Sequence, residues 1–308
     1  MPEPRQDGFK TRPRADGDGF LGSRVRVLKA EKNHRLLCLT ARRRGAVPAI
    51  RGVTNWGSIP ALIVESYSAH HASPAGNMRT AGMIGGLGPE STVDYYRAII
   101  ARFRALKPDE GYPHVIINSL DVDKGIALLD NGRLGELADY LTTGVELLVR
   151  ARANFGFIAA NTPHLVFEEV QRRSPIPLLS IVRVTCDYAR ALGLKKVGLF
   201  GTGFTMRASF YPEEFQRAGI DLVRPKESEQ EFIHGKYIGE LLKNRFLPET
   251  RTDILNIAQR MRSEDGIEAL VLAGTELPLL LRDTASPGIA FLDTTIIHVE
   301  AIVAELLR

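Results

Sequence analysis

Cysteine is scarce in this 308-residue chain, which holds only Cys38 and Cys186. Two cysteines cannot form a disulfide framework, and no Cys-x-x-Cys or Cys/His cluster predicts a zinc site. The sequence also lacks an apolar run of the roughly 20 residues that a membrane helix needs. A Gly-Lys-Ser/Thr phosphate-binding loop is missing as well. We therefore expect no metal site, no membrane span and no nucleotide held by such a loop.

Excess basic charge is confined to the first 77 residues. They contain 13 Lys and Arg against 6 Asp and Glu, whereas the rest of the chain contains 27 against 30. The overall net charge of +4 therefore does not describe the part of the chain with regular patterning. For this reason we expect no nucleic-acid partner.

Residues 1–77 differ from the remainder in composition. They are rich in Arg, Gly, Pro and Ser and show no sustained period of 2 or 3.6. This pattern predicts either a disordered leader or upstream sequence, with translation starting at Met78. Arg51 and Pro60 interrupt the apolar segment that could have served as a secretory signal, so we expect a cytoplasmic protein.

Short apolar runs alternate with segments of helical period throughout residues 78–308. Such alternation predicts parallel sheets with helices on both faces, which is the α/β class. Two of the runs, Phe157–His164 and Leu270–Pro278, end in small residues, a hydroxyl and a proline that can begin a helix. Ligands of open α/β sheets bind at the carboxyl ends of the strands, so we expect these two strand ends to hold one ligand between them.

A pattern of glycine turn and threonine-bearing strand end occurs twice. The first copy has 76 residues between Gly86 and Thr162, and the second has 74 between Gly201 and Thr275. Because the order and the spacing both repeat, we interpret the segment as a duplicated, pseudosymmetric α/β unit. The alternative is two unrelated strand–helix units.

The duplication predicts a domain organisation. After the leader, the first α/β domain spans residues 78–177 together with 290–308, and the second spans residues 178–289. Duplicated domains place two equivalent strand ends face to face across a cleft, and such a cleft suits a small ligand. We therefore expect the ligand between the two domains.

The expected binding residues lie at these strand ends. Backbone N–H groups of Gly86 and Leu87 precede a helix and could hold an anion, although a tight turn alone would also explain the glycines. For Thr162 and Thr275, helix capping is the alternative to ligand binding. If the ligand carries an ammonium group, the Glu276 carboxylate balances its charge. The candidates with polar side chains are Asn161, Thr162, Thr202, Thr205, Thr275 and Glu276.

Five segments resemble the aspartate/glutamate racemase family, the cofactor-independent amino-acid racemases. The resemblance covers residues 78–308 and implies two pseudosymmetric α/β domains with a ligand cleft between them. It also implies no cofactor, a small amino acid or carboxylate as the ligand, and a homodimer. In chain order the segments are Gly82–Arg97, Ala160–His164, Gly201–Met206, Gly274–Pro278 and Asp293–His298.

The same resemblance implies two cysteines, one on each side of the substrate's α-carbon, which remove and return the α-proton. The corresponding positions in this chain are Ala160 and Gly274, and neither side chain can transfer a proton. Cys186 lies in a helical run, where we expect an inert buried thiol. A displaced base would have to come from the remaining candidates, which are Glu276, His298, His164 and Glu90.

Two further positions bear on the ligand. The resemblance places Phe232 where some members of the family have a lysine. It places Ser119 where some members use an arginine to hold a side-chain carboxylate. Both replacements remove positive charge, so we expect a ligand less charged than aspartate.

The function expected from this combination is that of a racemase-type isomerase, acting without a cofactor at the α-carbon of a small amino acid. A catalytically degenerate protein that binds an amino acid or a small carboxylate is one alternative, since both thiols are missing while the pocket residues are kept. A cofactor-free lyase or isomerase acting on a small carboxylic acid is the other.

Overall fold

The structure is a computed structural model, and it describes residues 78–281 and 288–308. All of these residues fall within one compact unit. The expected leader, residues 1–77, lies outside the described residues, so its disorder and a start at Met78 stay predictions. Within the described residues, no helix is long and apolar enough to cross a membrane.

Strands and helices alternate along the described chain. The elements of the first half are β1 (Thr80–Gly85), α1 (Pro89–Leu106), β2 (His114–Ser119), α2 (Val122–Asp130), α3 (Leu134–Arg150), β3 (Phe155–Ile158), a 3-10 turn (Thr162–Val166), α4 (Phe167–Arg173) and β4 (Leu178–Leu179). The connecting helix α5 (Ile181–Ala191) leads to the second half. Its elements are β5 (Lys196–Gly201), α6 (Gly203–Arg207), α7 (Phe210–Arg217), β6 (Asp221–Val223), α8 (Glu227–Gly239), α9 (Pro248–Arg260), β7 (Ala269–Ala273), α10 (Leu277–Leu281), β8 (Ala290–Asp293) and the closing helix α11 (Thr294–Leu306).

Each half forms a four-stranded parallel sheet, and the two sheets have the same strand order. The first sheet runs β2-β1-β3-β4 and the second runs β6-β5-β7-β8. In both, the first strand along the chain pairs with the second and the third, and the fourth pairs with the third. The predicted fold class, two pseudosymmetric parallel-sheet α/β domains, is confirmed.

Helices cover both faces of each sheet. From β1, Met83 packs in one apolar cluster with Tyr95 of α1, whereas Ile84 packs in another with Leu141 of α3. Successive side chains of a strand point to opposite faces, so a strand covered on both sides is apolar at every position. The second sheet is covered by α5 and α7 on one face and by α8 and α9 on the other.

The two halves exchange helices. The helix α5 follows the last strand of the first sheet, yet its Ile181 and Val184 pack with β5 and β7 of the second sheet. Conversely, α11 follows the last strand of the second sheet, and its Val299 and Ile302 pack with β1 and β3 of the first. Because α11 also contacts both α1 and α5, it joins the two halves directly.

The expected domain boundaries at residues 177 and 289 each fall one short strand before the place where the chain passes from one sheet to the other. Leu178–Leu179 pairs with the first sheet, and Ala290–Asp293 pairs with the second. In both places the strand still belongs to the sheet before it, and the helix that follows packs on the other sheet. A strand of two to four residues is too short for its sheet to be assigned from the sequence. The division into whole domains stays a prediction.

The turn after β1 requires glycine at position 86. Gly86 has a φ of +80°, and a Cβ at this position would collide with the backbone oxygen and nitrogen of Leu120. Gly132 has a similar φ of +64°, but a Cβ there would meet nothing within 4 Å. The two glycines therefore share the unfavourable backbone conformation and differ only in the collision.

We expect Gly86→Ala to lower the free energy of unfolding more than the matched variant Gly132→Ala does. The positive φ alone costs an alanine about 1–2 kcal/mol, and overpacking at position 86 adds roughly 1–3 kcal/mol. Urea unfolding of both variants measures the difference. Equal losses would show that the loop carrying Leu120 yields without cost.

Candidate functional site

A cavity lies where the residues after β3 and β7 face each other. Ala160, Asn161 and Thr162 line it from the first half, and Gly274 and Thr275 line it from the second. The two strand ends singled out in the sequence therefore share one cavity. The other lining residues are Leu87, Val122, Gly125, Ile126, Leu129, Leu137, Pro163, Thr202, Phe204, Tyr237, Ile238 and Leu242.

Among the described residues, no charged side chain lines this cavity. Its polar groups are four hydroxyls and one amide, and the rest of the wall is aliphatic or aromatic. An ionised group moved from water into such surroundings without a partner loses several kcal/mol of solvation. The walls therefore favour a ligand whose side chain is uncharged. The polar lining residues are Asn161, Thr162, Thr202, Tyr237 and Thr275.

Three threonine hydroxyls from both halves meet beside the cavity. Thr162 Oγ1 lies 3.0 Å from both Thr202 Oγ1 and Thr205 Oγ1, and the last two oxygens lie 3.2 Å apart. Each hydroxyl donates one hydrogen, so donation around the triangle satisfies all three groups without a ligand. Thr162 and Thr202 line the cavity, whereas Thr205 is buried outside its lining. The two lining hydroxyls can rotate toward a ligand oxygen.

Asn161 links the first half to the second at the cavity wall. Its Oδ1 accepts a hydrogen bond from the Tyr211 hydroxyl at 2.6 Å, and its Nδ2 donates to Thr294 Oγ1 at 3.2 Å. Thr294 in turn donates to the backbone oxygen of Leu272 at 2.8 Å. Both ends of the Asn161 amide are therefore engaged inside the protein, which fixes the position of the first strand end against the second half.

Glu276 is a buried carboxylate surrounded by hydroxyl donors from both halves. Ser91 donates to Oε1 at 2.6 Å, while Thr275 donates to Oε2 at 2.9 Å and Tyr237 donates to the same oxygen. Ser91 lies in the first turn of α1, whose helix dipole also favours negative charge. The carboxylate fits there because Gly88 has no side chain; a Cβ on Gly88 would collide with Glu276 Oε1.

Tyr237 fills the space beside Gly274. A Cβ at position 274 would lie 2.5 Å from Tyr237 Cε2 and 2.9 Å from the tyrosine hydroxyl oxygen. The ring is 4% exposed and packs with Ile233 and Leu241, so it cannot move aside freely. Burial, with the neighbouring Glu276 carboxylate, raises the pKa of Tyr237 well above its usual value, so the hydroxyl is protonated at neutral pH.

Residues 84–302 match the model of one protein family, described as Asp/Glu/Hydantoin racemase. This chain belongs to that family. The matched range includes every residue that lines the cavity. The resemblance seen in the sequence is thereby confirmed.

Known structures of racemase-family proteins share this fold. A crystal structure of a proposed Asp/Glu racemase from Yersinia pestis is 26% identical with a TM-score of 0.68, and the match covers 75% of this chain and 100% of that one. An aspartate racemase homologue from Pyrococcus horikoshii OT3 is 31% identical with a TM-score of 0.65 and the same coverage. The broad specificity amino-acid racemase RacX of Bacillus subtilis (strain 168) is 26% identical over 156 residues, which are 48% of this chain and 66% of that protein.

Several expected site residues of this racemase-family chain do not line the cavity, namely Gly86, Glu90, His164, Thr205, Glu276 and His298. The N–H of Gly86 donates to Thr92 Oγ1 at 2.8 Å, so the turn itself uses the group that was expected to hold an anion. Glu90 is exposed in the first turn of α1. Leu87 does line the cavity and is the one member of the glycine turn that reaches it.

The two histidines considered as displaced bases are buried outside the cavity lining. Burial lowers the pKa of both His164 and His298 to about 3. His164 Nδ1 lies 3.1 Å from the backbone oxygen of Ala160, and His298 Nδ1 lies 3.0 Å from the Tyr95 hydroxyl. Imidazoles with so low a pKa are weak bases, and neither histidine lines the cavity, so neither is placed to act as the displaced base.

Cys186 is not placed to take part either. It lies in α5 at 3% exposure, and its thiol donates to the backbone oxygen of Glu214 at 3.5 Å. Burial raises the pKa of Cys186 to about 12, so the thiol is not ionised at neutral pH. In residues 78–281 and 288–308, no group of three or more His, Cys, Asp or Glu side chains could hold a metal ion.

A second cavity is lined by His164 but by neither Ala160 nor Gly274. Two of its charged side chains, Arg183 and Arg217, donate to the carboxylates of Glu168 and Glu214. Since these charges are already paired with one another, the cavity between the strand ends is the better candidate site.

Sequence reasoning missed the residues that α2 and α8 bring to the cavity. Val122 and Ile126 line it from α2, and Tyr237 and Ile238 line it from α8. None of them belongs to a local motif, and Tyr237 is 37 residues from Gly274 in the sequence. The one available signal was the glycine itself, because a strand end without a side chain leaves space for a residue from elsewhere.

We expect Gly274→Ala to destabilise the protein in the presence of Tyr237 but not in its absence. The added methyl group collides with the ring, and overpacking of this kind costs roughly 1–3 kcal/mol. In a Tyr237→Ala background the same substitution enters vacated space and costs little. Chemical unfolding of the four proteins in this double-mutant cycle gives the coupling energy. Gly135→Ala, where a Cβ meets nothing within 4 Å, is the control.

We expect the free energy of unfolding to fall as the pH is lowered from about 6.5 toward 3. A histidine in the unfolded chain takes up a proton near pH 6.5, whereas folded His298 does so only near pH 3. The stability is thus present above the unfolded pKa and is lost in this window. His298→Gln should flatten the slope by about 1.4 kcal/mol per pH unit. An unchanged slope in His298→Gln would contradict the prediction.

Proposed function

We propose that this protein is a racemase-type isomerase that acts, without a cofactor, at the α-carbon of a small amino acid with an uncharged side chain. The observation that carries the proposal is the cavity between Ala160 and Gly274, which both halves line and which has no charged wall in the described part of the chain. Membership of the Asp/Glu/hydantoin racemase family supports an isomerase. The cavity walls support the restriction on the substrate.

The polar and apolar parts of the cavity suit different parts of such a substrate. The hydroxyls of Thr162 and Thr202 can donate to the substrate carboxylate, since both line the cavity and rotate freely about their C–O bonds. Ile126, Leu137 and Phe204 offer an apolar surface to the substrate side chain. Such a surface discriminates weakly between apolar groups. A broad range of uncharged amino acids fits this arrangement, as it does the description of the relative RacX.

Proton transfer must differ from the usual two-thiol chemistry of the family. A methyl group at Ala160 and a hydrogen atom at Gly274 stand where the thiols would be. Of the displaced bases considered, Glu276 is the one joined to the cavity, since Thr275 and Tyr237 both line the cavity and both donate to its carboxylate. The other candidates are exposed or buried away from the lining.

The second candidate function is that of a binding protein that holds an amino acid or a small carboxylate without turnover. The absence of both thiols favours it, because the frame of the cavity is kept while the usual proton carriers are gone. A lyase that uses a single cysteine has less support, since no cysteine lines the cavity in the described residues. A homodimer and a cytoplasmic location stay predictions.

We expect the purified protein to incorporate deuterium at the α-carbon of uncharged amino acids in D₂O. The panel is L-alanine, L-serine, L-leucine and L-methionine, compared with L-aspartate and L-lysine. Because a charged side chain lacks a partner in the cavity, the rate with the last two should be at least about tenfold lower, equivalent to ~1.4 kcal/mol. Loss of the α-proton signal in NMR spectra and chiral chromatography measure incorporation and inversion.

Matched threonine variants test whether the reaction belongs to this cavity. Thr162→Val should lower the rate, whereas Thr252→Val, whose hydroxyl bonds to the backbone oxygen of Pro248 on α9, should not. If none of the twenty amino acids incorporates deuterium, the racemase proposal is wrong. A ligand that raises the melting temperature without any incorporation would then support the binding protein.

A further inference from the structure

We propose that the hydroxyl of Tyr237, backed by the carboxylate of Glu276, carries the substrate proton in place of the thiol missing at position 274. The inference rests on the proposed function, because it names the group that would move the α-proton in that reaction. It concerns one catalytic residue, Tyr237, and one residue that acts through it, Glu276. Neither the sequence pattern nor the family resemblance points to Tyr237.

The position of the phenol is the first argument. The Tyr237 oxygen lies 2.9 Å from the point where the Cβ of a residue at position 274 would be, so it occupies the neighbourhood in which a thiol at that position would lie. Tyr237 lines the same cavity as Gly274 and Thr275. The side chain reaches this point from α8, and it does so only because Gly274 has no side chain to exclude it.

The partner of the phenol is the second argument. Tyr237 donates its hydrogen to Glu276 Oε2, and the backbone N–H of Glu276 donates to the tyrosine oxygen at 3.4 Å. Ser91 and Thr275 fix the carboxylate from two other directions. The phenol therefore gives its own hydrogen to a carboxylate and belongs to a side chain that lines the cavity, which is the arrangement that a proton relay needs.

The step balances within the groups present. The α-C–H bond of the substrate breaks and its electron pair stays on the carbon. The proton bonds to the phenol oxygen of Tyr237 while the phenol's own hydrogen moves to Glu276 Oε2. Once the hydrogen on the phenol has exchanged with solvent, reversal of both transfers returns a solvent hydrogen to the α-carbon. The phenol is protonated before and after each turnover, which agrees with its buried, protonated state in the structure.

The opposite wall offers no equivalent pair. Around Ala160 the lining consists of aliphatic side chains, one amide and the hydroxyl of Thr162, and no carboxylate or imidazole lines it in the described residues. Proton removal and return therefore occur from one side. The D-enantiomer forms when the planar carbanion turns its other face toward Tyr237 before the proton returns. In D₂O, deuterium should enter the recovered L-amino acid with retention at least as fast as the D-enantiomer forms. Two opposed bases would instead label the D-product while the recovered L-substrate stays unlabelled.

Tyr237→Phe is the primary test, because it keeps the ring and removes only the hydroxyl. With L-alanine and with L-leucine, deuterium incorporation should fall at least about 100-fold relative to the unchanged protein, the usual range for a lost acid–base group. The rise in melting temperature caused by the same amino acids should remain. Tyr188→Phe removes the hydroxyl of another buried tyrosine outside the cavity and should leave the rate unchanged.

Glu276→Gln tests the relay separately, since an amide oxygen can accept the phenol's hydrogen bond but not its proton. We expect the same loss of incorporation with ligand stabilisation kept. A merely structural role for Glu276 would instead lower the melting temperature and leave the rate of the folded fraction unchanged. Labelling of the D-product alone, with unlabelled L-substrate recovered, would overturn the one-sided relay.

A thiol rescue completes the experiment. Tyr237→Ala should abolish incorporation, and adding Gly274→Cys to it should restore part of the rate and make the protein sensitive to iodoacetamide. If the unchanged protein incorporates no deuterium, the proposed function fails and this inference with it. If incorporation persists in Tyr237→Phe, only the assignment of Tyr237 fails and the proposed function stands.

Discussion

The carboxylate of Glu276 is the interaction on which the rest of the site depends. It accepts hydrogen bonds from Ser91 in the first half and from Thr275 and Tyr237 in the second, with hydroxyls rather than cations as its partners. A buried charge satisfied in this way holds its neighbours tightly, because each lost donor leaves an oxygen unsatisfied. The network fixes the start of α1 against the second half and fixes the tyrosine ring over Gly274.

This arrangement lies within the fold that the chain shares with other proteins of its family. Both sheets have the same strand order, and threonine hydroxyls from both halves meet beside the cavity. In the proposed reaction, a methyl group and a phenol stand where the family resemblance implies two thiols. Electrostatics differ as well, since walls of hydroxyls and apolar groups provide no counter-charge for an acidic substrate.

The sequence predicts the fold class and both strand ends, because continuous apolar runs that end in small residues have few other meanings in an α/β chain. It does not predict α2, whose start depends on the Asp121 side chain accepting from the N–H groups of Asp123 and Lys124. The three-residue strand Asp221–Val223 is also missed for want of length. Tyr237 could not be predicted, since its place in the site follows from the packing of α8 on the second sheet.

The exchange of helices has a consequence for how the molecule is made. The face of the first sheet that carries Met83 and Phe157 is completed by Val299 and Ile302 of α11, which leave the ribosome more than a hundred residues after that sheet has been synthesised. A nascent chain therefore exposes this apolar face until α11 has been synthesised, and chaperones can bind the face during that interval. Neither half has a complete core of its own, so the protein acquires its stable form as one late event instead of half by half.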